Sequence, residues 1–222
     1  MKWIPDAEGE AFVLENDWEI AIPISFETVN GELSVSFYPS CEGEAKAFFE
    51  KHESDPFSEA ALSDLYALFC PFFQKHGYKD DRFRDRWGYI FRGTGNGGET
   101  NAVRLTGKDE DRNGTTYDLS LSDREGLLMY GVIDGDRVVS VAVTHGAVTA
   151  DTGIAEFGVE TVPAARKRGY ATASARALIA ELSRRGITAE YRCQRYNRAS
   201  RAVAEHAGLL PVGKYYYYVG RK

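Results

Sequence analysis

The chain has 222 residues, 43% hydrophobic and 27% charged, a soluble globular composition with length for one large domain or a domain and a companion. No run approaches the ~20 apolar residues of a membrane span, and Met1 to Asp6 holds no signal-peptide core, so a cytoplasmic protein without a membrane partner is expected. A net charge of −6 argues against nucleic acid as partner, and three scattered cysteines and four histidines without close ligand spacing argue against a disulfide framework or a metal.

Along the chain, Ile24 to Tyr38 alternates apolar and polar residues around Asn30-Gly31 and predicts a hairpin. Glu44 to Gly77 is helical in pattern. Asp55-Pro56 opens a helix that places Leu62, Leu65, Tyr66 and Phe69 on one face, and Pro71 is expected to end or kink it. Phe48, Phe49, Phe72 and Phe73 read as core aromatics. Trp87 to Arg92 reads as a strand, and Gly93-Thr94-Gly95-Asn96-Gly97-Gly98 then matches the G-x-G-x-x-G spacing. A dinucleotide loop needs a helix directly after its glycines, and Thr100 to Leu105 looks extended or irregular, so a flexible surface loop that continues through Lys108 to Gly114 is expected.

The clearest hairpin runs from Tyr130 to Val143 around Asp134-Gly135. A strand from Gly153 to about Val162, a helix from Gly169 to Arg185, a strand from Ile187 to Gln194, a helix from Arg198 to His206 and a Tyr-rich strand from Tyr215 to Val219 follow. That alternation is typical of α/β units.

The turn before the first of these helices carries Arg166, Lys167 and Arg168, then Gly169, Tyr170, Ala171 and Thr172. Cations at a helix N-terminus oppose its dipole, a conflict that an anion bound between them would resolve. Backbone N–H groups and the dipole would also hold a diphosphate there, and Gly169 and Ala171 are small enough to let it approach. Residues 162–222 hold 13 Lys plus Arg against 3 Asp plus Glu, whereas 1–161 hold 14 against 30. The basic part suits a polyanionic ligand; the acidic part favours a cationic one.

Arg166-x-x-Gly169-x-Ala171 resembles the Gln/Arg-x-x-Gly-x-Gly/Ala signature of the GNAT superfamily of acyl-CoA N-acyltransferases. Pro163, the strand Ala155 to Thr161, Tyr191 to Gln194, Asn197-x-x-Ser200 and Ala207-Gly208-Leu209 fit its order and spacing, over about Tyr130 to Val219. The resemblance implies an α/β (α+β) fold: a mixed, mostly antiparallel central sheet with splayed strands and flanking helices in residues 121–222. Residues 1–120 would be an N-terminal α+β extension. It implies that acetyl-CoA is the acyl donor. Its pyrophosphate would lie on the N–H groups of Lys167, Arg168, Gly169, Ala171 and Thr172, with Arg166 and Tyr170 in the same turn. Its pantetheine would run beside Val159 and Thr161, with Asn197 and Ser200 contacting it.

Acetyl transfer to an amine needs a base, an oxyanion donor and a proton for the thiolate. The Val159 N–H is the candidate oxyanion donor. Glu156 and Glu160, of the same parity on one strand, are the candidate bases, with raised pKa values if buried; either could instead pair with an arginine of the basic segment. The tyrosine that the family often places four residues after its Ser/Ala is Ala204 here, which leaves the acid unassigned. Tyr215 to Tyr218 and His206 are candidates for it, while His145 reads as structural or exposed and Cys193 as a structural thiol. The expected activity is N-acetylation of a primary amine, a small cationic molecule or peptide, by direct attack in a ternary complex; the alternative is a CoA-binding or regulatory module without turnover. A homodimer is the default assembly.

Overall fold

The computed structural model describes residues 1–80, 87–95 and 100–222. In chain order the elements are β1 (Lys2–Pro5), α1 (Ala7–Glu15), β2 (Ile20–Val29), β3 (Glu32–Phe37), α2 (Glu42–His52), α3 (Glu59–Lys75), β4 (Lys79–Asp80), β5 (Gly88–Gly93), β6 (Val103–Arg104) and α4 (Leu121–Arg124). Then come β7 (Met129–Asp134), β8 (Arg137–Thr144), β9 (Ile154–Thr161), α5 (Tyr170–Arg184), β10 (Thr188–Gln194), α6 (Arg198–His206) and β11 (Leu210–Arg221). They fall into two compact units, Met1–Tyr89 with Gly213–Lys222, and Ile90–Val212.

In the first unit, β2 and β3 form the expected hairpin, with Asn30 and Gly31 both at positive φ, and β1 pairs parallel to β3. The part of β11 from Gly213 lies antiparallel to β2, and β4 pairs with it. Phe26, Phe48, Phe49, Phe69, Phe73, Tyr216 and Tyr218 share one buried cluster, so the tyrosines considered as proton donors at 216 and 218 are packing residues. Pro71 does not end α3. The helix starts at Ser58, whose hydroxyl accepts from the Ala61 N–H, and continues past the proline to Lys75. Burial of Leu62, Leu65, Phe69 and Phe73 along one face outweighs the single backbone hydrogen bond that a proline forfeits.

In the second unit the strand order is β5-β10-β9-β8-β7-β6. The pairs β6–β7, β7–β8 and β8–β9 are antiparallel and β9–β10 is parallel. Leu105 and Leu119 pack in one buried cluster with Val138, Val141 and Val143, so the sequence boundary near residue 120 falls inside this unit. Within the expected flexible loop that continues through Lys108 to Gly114, Gly107–Arg112 is instead a 3-10 turn. It is started by Thr106, and the Thr106 N–H donates to Asp109 Oδ2 at 2.9 Å. Asn96, Gly97 and Gly98 of the glycine-rich stretch lie outside the described residues.

Helix α5 buries Ser174, Ala177, Leu178 and Leu182 among others. Gly186 at φ +76° closes it, with the Ile187 N–H donating to the Leu182 carbonyl at 2.9 Å. Among the described residues no helix is long and apolar enough to cross a membrane, and no group of three or more His, Cys, Asp or Glu could hold a metal ion.

Candidate functional site

The site is a consequence of how β9 and β10 part. They pair in parallel only at Ile154, Ala155 and Glu156 against Thr188, Ala189 and Glu190. Beyond that rung β9 stays on β8 through Thr161, without a register shift from Phe157 onward. A cleft of about 780 Å³ opens beside the departing strands, lined by Val159, Glu160 and Thr161 of β9, Tyr191 of β10, the start of α5, and Asn197 to His206 around α6.

The floor of the cleft is the turn into α5. Lys167 (φ 61°) and Gly169 (φ 81°) are both left-handed, and such turns make concavities of backbone N–H groups suited to anions. Gly169 is the N-cap and brings no capping side chain. The N–H groups of the first helical turn therefore lack an intrahelical acceptor and a side-chain cap, with the positive end of the dipole behind them. A Cβ on Gly169 would meet nothing within 4 Å, so the space above these donors is open.

A chain of hydroxyls fixes the turn against the sheet. Ser174 Oγ, fully buried on α5, donates to Ser140 Oγ on β8 at 3.1 Å. Ser140 Oγ also lies 2.9 Å from Thr161 Oγ1 and donates to the Glu160 carbonyl at 3.1 Å. Arg166 Nε donates to the Thr161 carbonyl at 3.2 Å, which ties the turn to the end of β9. Arg168 pairs with Asp134 at 2.7 Å and lies over the Tyr170 ring, whose hydroxyl donates to the same carboxylate. The β7–β8 turn thus relieves part of the charge conflict at this helix start, while Arg166 and Lys167 line the cleft.

Of the residues expected from sequence, Val159, Glu160, Thr161, Arg166, Lys167, Gly169, Tyr170, Ala171, Thr172, Asn197 and Ser200 all line this one cleft. Asn197 caps α6, its side-chain oxygen accepting from the Ser200 N–H at 3.0 Å. Burial pushes the Tyr191 phenol up, against a hydrogen bond with Ser200.

The two candidate bases are already engaged. Glu160 accepts from the Thr116 N–H at 3.0 Å and from its hydroxyl at 2.6 Å. Glu156 does not line the cleft. Its Oε1 lies 3.3 Å from His145 Nδ1 and its Oε2 3.5 Å from Arg192 Nε. Burial alone would raise this carboxyl, as the sequence reading expected, but the hydrogen bond from His145 and the charge of Arg192 outweigh it and hold the group below the ordinary carboxylate range. A depressed folded-state pKa contributes stability that is present above the unfolded pKa and lost as pH falls through the folded one. Acidification from neutral pH should therefore lower the melting temperature of the wild-type protein more than that of E156Q, as read by thermal melts across the acid range.

Sequence reasoning missed Tyr117 and set His145 aside. The Tyr117 segment is held by Asn113, which accepts from the Thr115 N–H at 2.9 Å and donates to the Tyr117 carbonyl at 2.6 Å, and by the Glu160–Thr116 contacts. The visible signal was Asn113-Gly114-Thr115, a turn-forming triplet. The contact itself comes from a residue 44 positions later in the chain. Ala204 is buried on α6 and supplies no phenol.

The helix N-terminus and the parted strand pair thus line one cleft, and a helix N-terminus of this kind suits an anion. The GNAT acetyltransferase family profile matches residues 127–218, so that stretch is of the GNAT superfamily. Comparison with curated protein sequences finds no match. Among solved structures, a GNAT-family protein from Novosphingobium aromaticivorans is 21% identical over 66% of this chain and 68% of its own, with a TM-score of 0.51. A GCN5-related N-acetyltransferase from Sphaerobacter thermophilus is 18% identical over 89% and 76%, with a TM-score of 0.46. RimL, a ribosomal protein α-N-acetyltransferase in complex with coenzyme A, is 22% identical over 45% and 64%, with a TM-score of 0.36. The likeness to the first is one of fold. Family and fold together support an acyltransferase.

Proposed function

We propose that the protein is an acetyl-CoA-dependent N-acetyltransferase that acts in the cytoplasm on a primary amine, a small cationic molecule or a peptide end, by direct attack in a ternary complex. The observation that carries this reading is the left-handed, side-chain-free N-cap at Gly169, open to a cleft that reaches the parting of β9 from β10. The cleft suits a phosphorylated thioester, because the N–H donors and cations of the α5 turn share its lining with Val159, Tyr191 and Val203.

Acetyl-CoA supplies the acyl group and a thiolate leaving group. The N–H groups of Gly169, Ala171 and Thr172, with Arg166 and Lys167, hold the diphosphate, and the Val159 N–H stabilises the developing oxyanion. Asn197 and Ser200 bound the pantetheine side. The buried Ala204, where the family often has a tyrosine, favours a second reading, a CoA-binding module without turnover. Calorimetric titration with CoA, followed by thiol release from acetyl-CoA against a panel of amines, separates the two. Micromolar binding with amine-dependent thiol release is expected; binding without release on any amine leaves the module, and no binding removes both readings.

A further inference from the structure

Gly158 has no conformational reason to be glycine, since it is not among the residues at positive φ. Its reason is steric. A Cβ built there would sit 2.7 Å from the Tyr117 hydroxyl and 2.8 Å from His145 Nε2. A phenol and an imidazole nitrogen therefore converge on one point beside the β9 backbone, one residue from Val159.

The imidazole is oriented. Its Nδ1 lies on Glu156, and the His145 N–H donates to the Glu156 carbonyl at 2.9 Å, so side chain and backbone are fixed to the same residue. With Nδ1–H directed at the carboxylate, Nε2 keeps its lone pair and faces the gap over Gly158. The ring is half exposed, so an acceptor can reach it. Strand parity puts Glu156, Gly158 and Glu160 on one face of β9. Glu160 uses both carboxylate oxygens to hold the Thr116–Tyr117 segment over that face. Each carboxylate is engaged in holding a neighbour: Glu156 the His145 ring, Glu160 the segment that carries Tyr117.

We infer that His145, positioned by Glu156, is the catalytic base of the transferase, and that Tyr117, positioned by Glu160, is its acid. This rests on the transferase reading above. As the amine nitrogen bonds to the acetyl carbonyl carbon, its proton passes to His145 Nε2. As the carbon–sulfur bond breaks, the thiolate takes the Tyr117 phenolic proton, and the imidazolium returns a proton to the phenolate. The products are the amide and the free thiol, and both side chains end as they began. The groups that bear on His145 are Glu156 of β9, Arg192 of β10 behind it, Tyr117 beside it and Glu160 beyond the phenol.

The test measures amine-dependent thiol release and CoA affinity for the wild type, H145A, Y117F and E156Q. H145A should lose about 10²–10³-fold in kcat with CoA affinity within twofold of wild type, and its kcat should lose the limb that rises with pH. Added imidazole should restore part of the rate. Y117F and E156Q should each lose about tenfold or more in kcat. H145Q keeps an amide to reach Glu156 but has no basic nitrogen, and it reads the same way if H145A fails to fold. If H145A or H145Q turns over within threefold of wild type and keeps the rising limb, the assignment is overturned while the transferase stands. If the wild type binds no CoA or releases no thiol with any amine, both fall.

Discussion

Gly169→Glu should weaken CoA binding at least 100-fold, about 3 kcal/mol, by calorimetric titration. Two effects act in the same direction. At φ +81° the backbone is left-handed, and a residue with a Cβ is disfavoured there by roughly 1–2 kcal/mol. That strain falls on the turn whose N–H groups make the cradle. A Cβ there would meet nothing within 4 Å, so the longer side chain has room to bring its carboxylate to those donors. It would take the hydrogen bonds meant for the diphosphate and repel its charge. Gly169→Asn separates the two effects, because Asn tolerates the left-handed region and is neutral; its affinity should fall less than tenfold. Both variants should melt cooperatively, so that lost binding is not lost folding. G169E binding CoA as the wild type does would remove the cradle from α5.

The reason this site is legible in sequence is that its signals are local. Gly169, the three cations ahead of it and the amphipathic run behind it occupy one stretch of chain, and the positive φ, the N-cap and the start of α5 fall there. Asn197 and Ser200 are also local, a side chain capping the helix that follows it. What the sequence hides is pairing across distance. Parity places Glu156 and Glu160 on one face, but nothing in the chain near them announces that Thr116 occupies one and His145 the other. The hydroxyl chain from Ser174 through Ser140 to Thr161 is equally invisible, because a serine on an apolar helix face has no period of its own. In the first unit the hairpin was readable from Asn30-Gly31, whereas the parallel pairing of β1 with β3 joins segments more than 30 residues apart. Pro71 misleads for the same reason: propensity counts a lost hydrogen bond, and tertiary burial decides.

Glu190→Ala should cost roughly 3–5 kcal/mol, the scale for breaking a buried ion pair from one side. Glu190 is 4% exposed. Its Oε2 lies 2.6 Å from Arg92 Nη2 and accepts from Arg92 Nε at 2.6 Å, while Oε1 accepts from Arg192 Nε at 2.7 Å. It also stands directly across from Glu156 in the β9–β10 register. Two carboxylates face each other at the last paired rung, and Arg192 lies between them, within 3.5 Å of both. Removing Glu190 leaves two largely buried guanidinium groups close together with less negative charge to offset them. The effect should be a fall of about 10 °C in melting temperature at this chain length. Glu205→Ala provides the contrast: its pair with Arg201 has both side chains about half exposed, and such a pair is worth about 0–1 kcal/mol. The cost of E190A should also appear in the cleft, since the rung that loosens is where the strands begin to part. CoA affinity should drop with stability, while E205A leaves both near wild type. An E190A protein that melts within about 2 °C of wild type would mean that the strand pair is held by its flanking helices rather than by this charge cluster.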